Sequence, residues 1–138
     1  MTNELPEKHV VTCFLENEAE ILILHRSNMV GSYQGRWAGV SGYVETTADE
    51  QALIEIEEET GLRPEELKLA KKGRPLEIRD EELGVIKVVH PYLFRIKERS
   101  KIRIDWEHDD MRWINASDID SYQTVPMLKE TLALVYQG

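Results

Sequence analysis

This sequence has one cysteine, Cys13, and so cannot close a disulfide within itself. A lone thiol inside an apolar run reads as a small core residue and suits a reducing compartment. No apolar stretch approaches the ~18–20 residues that span a membrane as a helix. The opening segment, MTNELPEKHV, lacks both the basic flank and the apolar run of a secretory leader. Cations are scarce as well: 17 Lys and Arg stand against 26 Asp and Glu, for a net charge of −9. Binding to a nucleic-acid backbone rests on Lys and Arg, so that partner is argued against, whereas a nucleotide held through a metal ion is not. The phosphate cradles GxxxxGK[ST] and GxGxxG do not occur, and His9, His25 and His90 lack a zinc spacing such as HExxH. With 41% hydrophobic residues in 138, the chain is expected to be a single soluble, cytoplasmic domain over residues 1–138.

What the chain does have is an unusual acidic segment. Six of the fifteen residues from Ala48 to Leu62 are acidic, and their spacing matters more than their number. On a helix each residue turns by about 100°, which puts Glu55, Glu58 and Glu59 on one face. Ala52, Leu53, Ile56 and Thr60 form a separate stripe able to pack on a core, and Glu57 points to solvent. Like charges at i,i+4 destabilise a helix by ~0.2–0.5 kcal/mol per pair. A compensating divalent cation, hard and oxygen-seeking like Mg²⁺ or Mn²⁺, would relieve that cost. Thr47 with Glu50 three residues on predicts a capping box, and Gly61 predicts the helix end.

Around this helix the pattern is of strands. Val10–Leu15 and Ile21–Leu24, joined by a polar turn, predict a hairpin, and the Gly-interrupted run Trp37–Val44 predicts a kinked strand or bulge. Two or three strands are expected between Leu67 and Ile96, with Pro91 confining part of the strongest one, Val85–Phe94, to an edge or bulge. Ile102–Trp106 and Arg112–Ile114 predict short strands, Ser117–Asp120 a short helix, and Pro126–Tyr136 a terminal amphipathic helix. Strands, helix, strands, helix is an α+β order with a mixed sheet.

The stretch from Gly42-Tyr43-Val44-Glu45 to Glu55-Ile56-Glu57-Glu58-Glu59-Thr60-Gly61-Leu62 resembles the signature of the Nudix hydrolases, G-x5-E-x7-R-E-U-x-E-E-x-G-U with U a bulky aliphatic. Glu55, Ile56, Glu58, Glu59, Gly61 and Leu62 match its second half. Two departures stand out. Gly42 precedes Gly61 by 19 residues where the pattern has 21, leaving no counterpart for its loop Glu, and Ile54 stands where the pattern has Arg. The resemblance implies an α/β/α sandwich, a mixed sheet flanked by helices. It also implies a MutT-like pyrophosphohydrolase that directs water at a phosphorus of a nucleoside diphosphate-linked substrate with the help of Mg²⁺ or Mn²⁺. A catalytically weakened nucleotide-binding or sensor module is the alternative that the two departures leave open.

On this reading Glu55, Glu58 and Glu59 are the metal ligands, and Glu55 could instead position the attacking water. Glu107 is the candidate distal carboxylate, as ligand or general base, with His108 beside it as a second base candidate. Arg26 and Arg36 are candidate phosphate contacts, Trp106 a candidate platform for a base, and Gly42 allows close backbone approach before the helix. The expected partner is a small nucleotide-type molecule rather than nucleic acid or membrane, and a homodimer is left open.

Overall fold

The computed structural model describes residues 5–137; the leader reading, which falls partly on residues 1–4, lies partly outside them. The expected hairpin is present as β1 (Glu7–Asn17) and β2 (Glu20–Arg26). Its turn is made by Glu18 and Ala19, at φ 51° and 65°. Two consecutive left-handed residues let a two-residue loop follow the twist of its strands.

β1 organises the rest. Along one side it runs parallel to β7 (Val85–Arg95), in register from Glu7 opposite Ile86 to Glu16 opposite Arg95. Its other side is shared between two partners. β4 (Val40–Tyr43) pairs antiparallel with Val10–Cys13, and β2 pairs only at Glu16 and Asn17. The sheet therefore forks at β1. β2 continues outward to β3 (Trp37–Ala38) and β8 (His108–Ile114). β5 (Lys68–Lys72) and β6 (Leu76–Asp80) both lie on the far side of β7, completing an eight-stranded mixed sheet. The kink expected in Trp37–Val44 is the break at Gly39, where a Cβ would sit 3.0 Å from the Cys13 carbonyl oxygen.

Alternation along β1 sends its side chains to two cores. Val11, Cys13 and Leu15 join Leu22, Leu24 and the buried stripe of helix α1 (Ala48–Thr60) on one face. Phe14 joins Ile21, Ile23, Ile119 and Leu132 on the other, covered by a 3-10 segment (Ala116–Ser121) and by α2 (Leu128–Ala133). This is the α+β sandwich expected from the sequence.

Four local expectations are corrected. Pro91 lies in a central strand, not at an edge: β6 ends its pairing opposite Val89 and β5 begins opposite Tyr92. The missing N–H thus falls at the handover between two outer strands, while the Pro91 carbonyl accepts from Gly73 at 2.9 Å. Ile102–Trp106 forms no strand, because Ile102 is buried in the core and the Arg103 amide donates to the Thr60 carbonyl at 2.8 Å, closing the end of α1. The terminal helix is shorter than Pro126–Tyr136, its start blocked by Met127 at φ 65°. The capping box is only half formed. Thr47 accepts from the Glu50 amide at 3.2 Å, but the Glu50 carboxylate accepts from the Thr46 hydroxyl at 2.6 Å. Gly61 ends the helix at φ 79° as expected. Among the described residues no helix is long and apolar enough to cross a membrane.

Candidate metal centre

The apolar stripe of α1 fixes its carboxylates in space. Ala52, Ile56 and Thr60 are fully buried, which sets the rotation of the helix about its axis, and the Thr60 hydroxyl is satisfied within the helix by the Ile56 carbonyl at 2.6 Å. Glu57 is exposed, as the helical wheel requires. Glu55 and Glu58 face a cavity of about 660 Å³, whose wall also carries Gly42, Arg26 and Glu107. A Cβ on Gly42 would overlap the Glu55 carboxyl group; only glycine lets β4 lie against that side chain. Gln51 holds Glu55 from its own helix, donating to it at 2.9 Å while accepting from the Glu45 amide at 3.0 Å.

Glu59 points inward and is 2% exposed. Its Oε1 lies 3.6 Å from Nε2 of His108, and its Oε2 has no hydrogen-bond partner. Burial pushes the Glu59 carboxyl well above the usual range, and Glu107, Glu55 and Asp105 push it further, against the backbone amide of Ser41. Glu55 is raised by burial and by Glu58 and Glu107, with Gln51 pulling the other way. Glu107 is raised by burial and by Asp105 and Glu58, with Arg26 opposing. These carboxylates crowd one another with little positive charge among them, the situation in which one nearby cation would lower every member at once.

His108 opens β8 and is itself buried. Its Nδ1 lies 3.0 Å from Oδ1 of Asp105, which also accepts from the Glu107 amide at 3.2 Å. Burial holds the imidazole below its ordinary value although Asp105 pulls upward. Ligand atoms of Glu59, Glu107 and His108 lie within 4.8 Å of one another. An orphaned buried carboxylate oxygen, crowded anions and donors at this separation fit a divalent cation.

The structure thus brings Glu55, Glu58, Glu59, Glu107, Arg26 and Gly42 together. The Arg26 Nε donates to the Ser32 carbonyl at 3.0 Å, and the residue lines the cavity. Arg36 donates to the Thr124 carbonyl at 3.2 Å and does not line the cavity. Trp106 is 64% exposed and also stands apart from it. Ile54 is on the cavity wall. Asp105 and Gln51 escaped the sequence reading; the i,i+3 spacing of Asp105 and His108 was a signal for the first, whereas nothing in the sequence marks the second. Tyr33, which the sequence offers beside Trp106 as a platform for a base, is on the wall with Asp80 and Lys87, two residues that no sequence signal marks. The Tyr33 hydroxyl donates to Asp80 at 2.8 Å, and the Lys87 ammonium lies 3.5 Å from the same oxygen.

Comparison with known proteins agrees with this geometry. The family described as NUDIX domain matches residues 6–135. Among solved structures, a MutT protein from Methanosarcina mazei Go1 superposes with a TM-score of 0.73 at 22% identity, over 94% of this chain and 93% of that one. An Ap4A hydrolase of C. elegans, solved as a binary complex, gives 0.70 at 18% identity, over 94% and 93%. A bifunctional NMN adenylyltransferase/ADP ribose pyrophosphatase of Francisella tularensis, complexed with AMP and an Mn ion, gives 0.78 at 18% identity, over 94% of this chain and 41% of that one. At these identities the likeness is one of fold. No curated protein matches the chain in sequence.

Proposed function

From the premise that this chain belongs to the Nudix family and is a pyrophosphohydrolase, we propose that it cleaves a nucleoside diphosphate-linked small molecule with a divalent ion, Mg²⁺ or Mn²⁺. Glu55, Glu58 and Glu59 would hold the ion, with Glu107 as a further ligand or the base. The observation that carries this reading is Glu59: a buried carboxylate with one unpartnered oxygen, surrounded by three more acids. An isolated buried charge is costly, and an enzyme retains one where a bound cation repays it. Two structural neighbours, an Ap4A hydrolase and a bifunctional NMN adenylyltransferase/ADP ribose pyrophosphatase complexed with AMP and an Mn ion, support a nucleotide substrate and a divalent ion.

When bound, such an ion supplies charge neutralisation on the diphosphate and a lower pKa for water. The chain's own residues do the remainder. Arg26, on the cavity wall opposite the acids in charge, draws in phosphate oxygens. Glu107, on the cavity wall, would add a carboxylate ligand to the ion or take the proton of the attacking water. Gln51 keeps Glu55 from swinging away. Gly42 keeps the backbone of β4 close to that carboxylate. Arg36 would reach the substrate only by leaving Thr124, and Trp106, already exposed, is free to stack on a base. The reading further takes residues 1–138 as one domain acting in the cytoplasm, without nucleic acid or membrane as partner, and leaves self-association to a measurement of mass in solution.

A panel of nucleoside diphosphate derivatives, incubated with Mg²⁺ or Mn²⁺ and analysed for phosphate-containing products, tests the proposal. Metal-dependent cleavage at the diphosphate is expected, and Glu58→Gln and Glu59→Gln should abolish it while the far-UV spectrum stays unchanged. Wild-type turnover by both variants would refute it.

A further inference from the structure

The contact between Glu59 and His108 is odd as it stands. Asp105 is a carboxylate and, when ionised, can only accept a hydrogen bond, so Nδ1 of His108, 3.0 Å from it, is the nitrogen that carries the proton. Nε2 is then a bare lone pair. It faces Oε1 of Glu59 at 3.6 Å, beyond hydrogen-bonding distance. Both side chains are only 2% exposed, so water does not mediate freely between them. With Glu59 ionised, two acceptors are aimed at one another in a buried place, and the second oxygen of Glu59 has no hydrogen-bond partner.

A carboxylate fixing one ring nitrogen so that the other presents its lone pair is the outer-sphere support typical of metal-bound histidine. A separation of 3.6 Å is less than twice the ~2.1 Å from a divalent metal to nitrogen or oxygen, so one ion can touch both atoms. Ligand atoms of Glu107 lie in the same 4.8 Å group.

We propose that Nε2 of His108 is a direct nitrogen ligand of the metal centre, completing with Glu59 and Glu107 a mixed nitrogen–oxygen site. This rests on the metal-dependent reading above, and it sharpens that reading by stating which ions the centre takes. Mg²⁺ favours an all-oxygen, largely hydrated octahedron. An imidazole ligand shifts preference away from Mg²⁺ toward the first-row transition ions, least for Mn²⁺ and more for ions such as Fe²⁺, Ni²⁺ or Zn²⁺. Asp105 is then a positioning residue, acting on the metal through His108.

The test is pulsed electron paramagnetic resonance on the full chain loaded with Mn²⁺, alongside calorimetric titration with Mn²⁺ and Mg²⁺. Wild-type protein should show the nitrogen-14 modulation of a directly bound imidazole. His108→Gln should lose that modulation and bind Mn²⁺ at least about tenfold more weakly, with a much smaller change for Mg²⁺; Asp105→Asn should retain the modulation and weaken Mn²⁺ binding by roughly 10–100-fold. The wild-type spectrum alone is decisive should a variant fail to fold. Tight Mn²⁺ binding without nitrogen modulation, or modulation that persists in His108→Gln, overturns the histidine ligand and leaves the metal-dependent hydrolase standing. Absence of Mn²⁺ binding at millimolar concentration overturns both.

Discussion

Asp80 and Glu59 are both buried carboxylates, at 5% and 2% exposure, and the fold treats them in opposite ways. Asp80 receives the Leu83 amide at 2.9 Å, the Tyr33 hydroxyl at 2.8 Å and the Lys87 ammonium at 3.5 Å. Burial would push its carboxyl up, but those donors outweigh it and hold it below the usual range. Glu59 has an imidazole at 3.6 Å, an empty oxygen and acidic neighbours, and is pushed well above that range. A satisfied buried acid ties a loop to a strand. An unsatisfied one is a standing cost that a ligand can remove, and the contrast separates scaffold from candidate site.

The two acids can be set against each other by the same chemical change. Glu59→Gln should lower hydrolysis by roughly 10²–10⁴-fold while raising the melting temperature of the metal-free protein, since it removes a crowded charge. Asp80→Asn should do the reverse to stability, costing on the order of 1–3 kcal/mol by stranding Tyr33 and Lys87. Calorimetry in EDTA and a product assay read both, and a fall in melting temperature for Glu59→Gln would erase the distinction.

The pH dependence of metal-free stability should separate them next. Asp80 has a lowered folded value, so its contribution is in place above about 3.8 and is lost as the pH falls through the lower folded value. Glu59 has a raised folded value, so stability is greatest below about 4.5 and is lost as the pH rises through the folded value. Melting curves from pH 3 to 8 should show the rising-pH loss in wild type and its flattening in Glu59→Gln. The smallest effect is expected at Ile54, 43% exposed on the cavity wall. Ile54→Arg should change stability by no more than about 0.5 kcal/mol and, pairing with Glu58 one turn on, should alter turnover only severalfold.

Much of this was legible in the sequence because it is local. The helix from Ala48 to Thr60, its Thr47 cap, the Gly61 stop and the burial stripe follow from spacing within fifteen residues. The mixed sheet followed from the order of strands and helices, and the same spacing put Glu55, Glu58 and Glu59 on one helix. What escaped depends on partners far away in the chain. Pro91 looked like an edge residue because its tolerance comes from where β5 and β6 change over. His9 and His90 looked scattered, yet parallel β1 and β7 bring their ring nitrogens to 2.9 Å. Ile102–Arg103 alternated like a strand but serves the end of α1. Asp80 and Tyr33 are 47 residues apart, and no periodicity announces such a pair.

The parallel ladder between β1 and β7 has a consequence for biogenesis. Glu7 waits for Ile86, so β1 has no permanent neighbour on that side until β7 has been made. Pairings of such sequence distance form slowly and leave strand edges unprotected in the meantime. Glu107 and His108 emerge later still. A nascent chain therefore displays its acidic helix well before β8 brings Glu107 and His108 to it, and stalled translation before β8 would yield a species prone to aggregate and without two of the cation ligands proposed above.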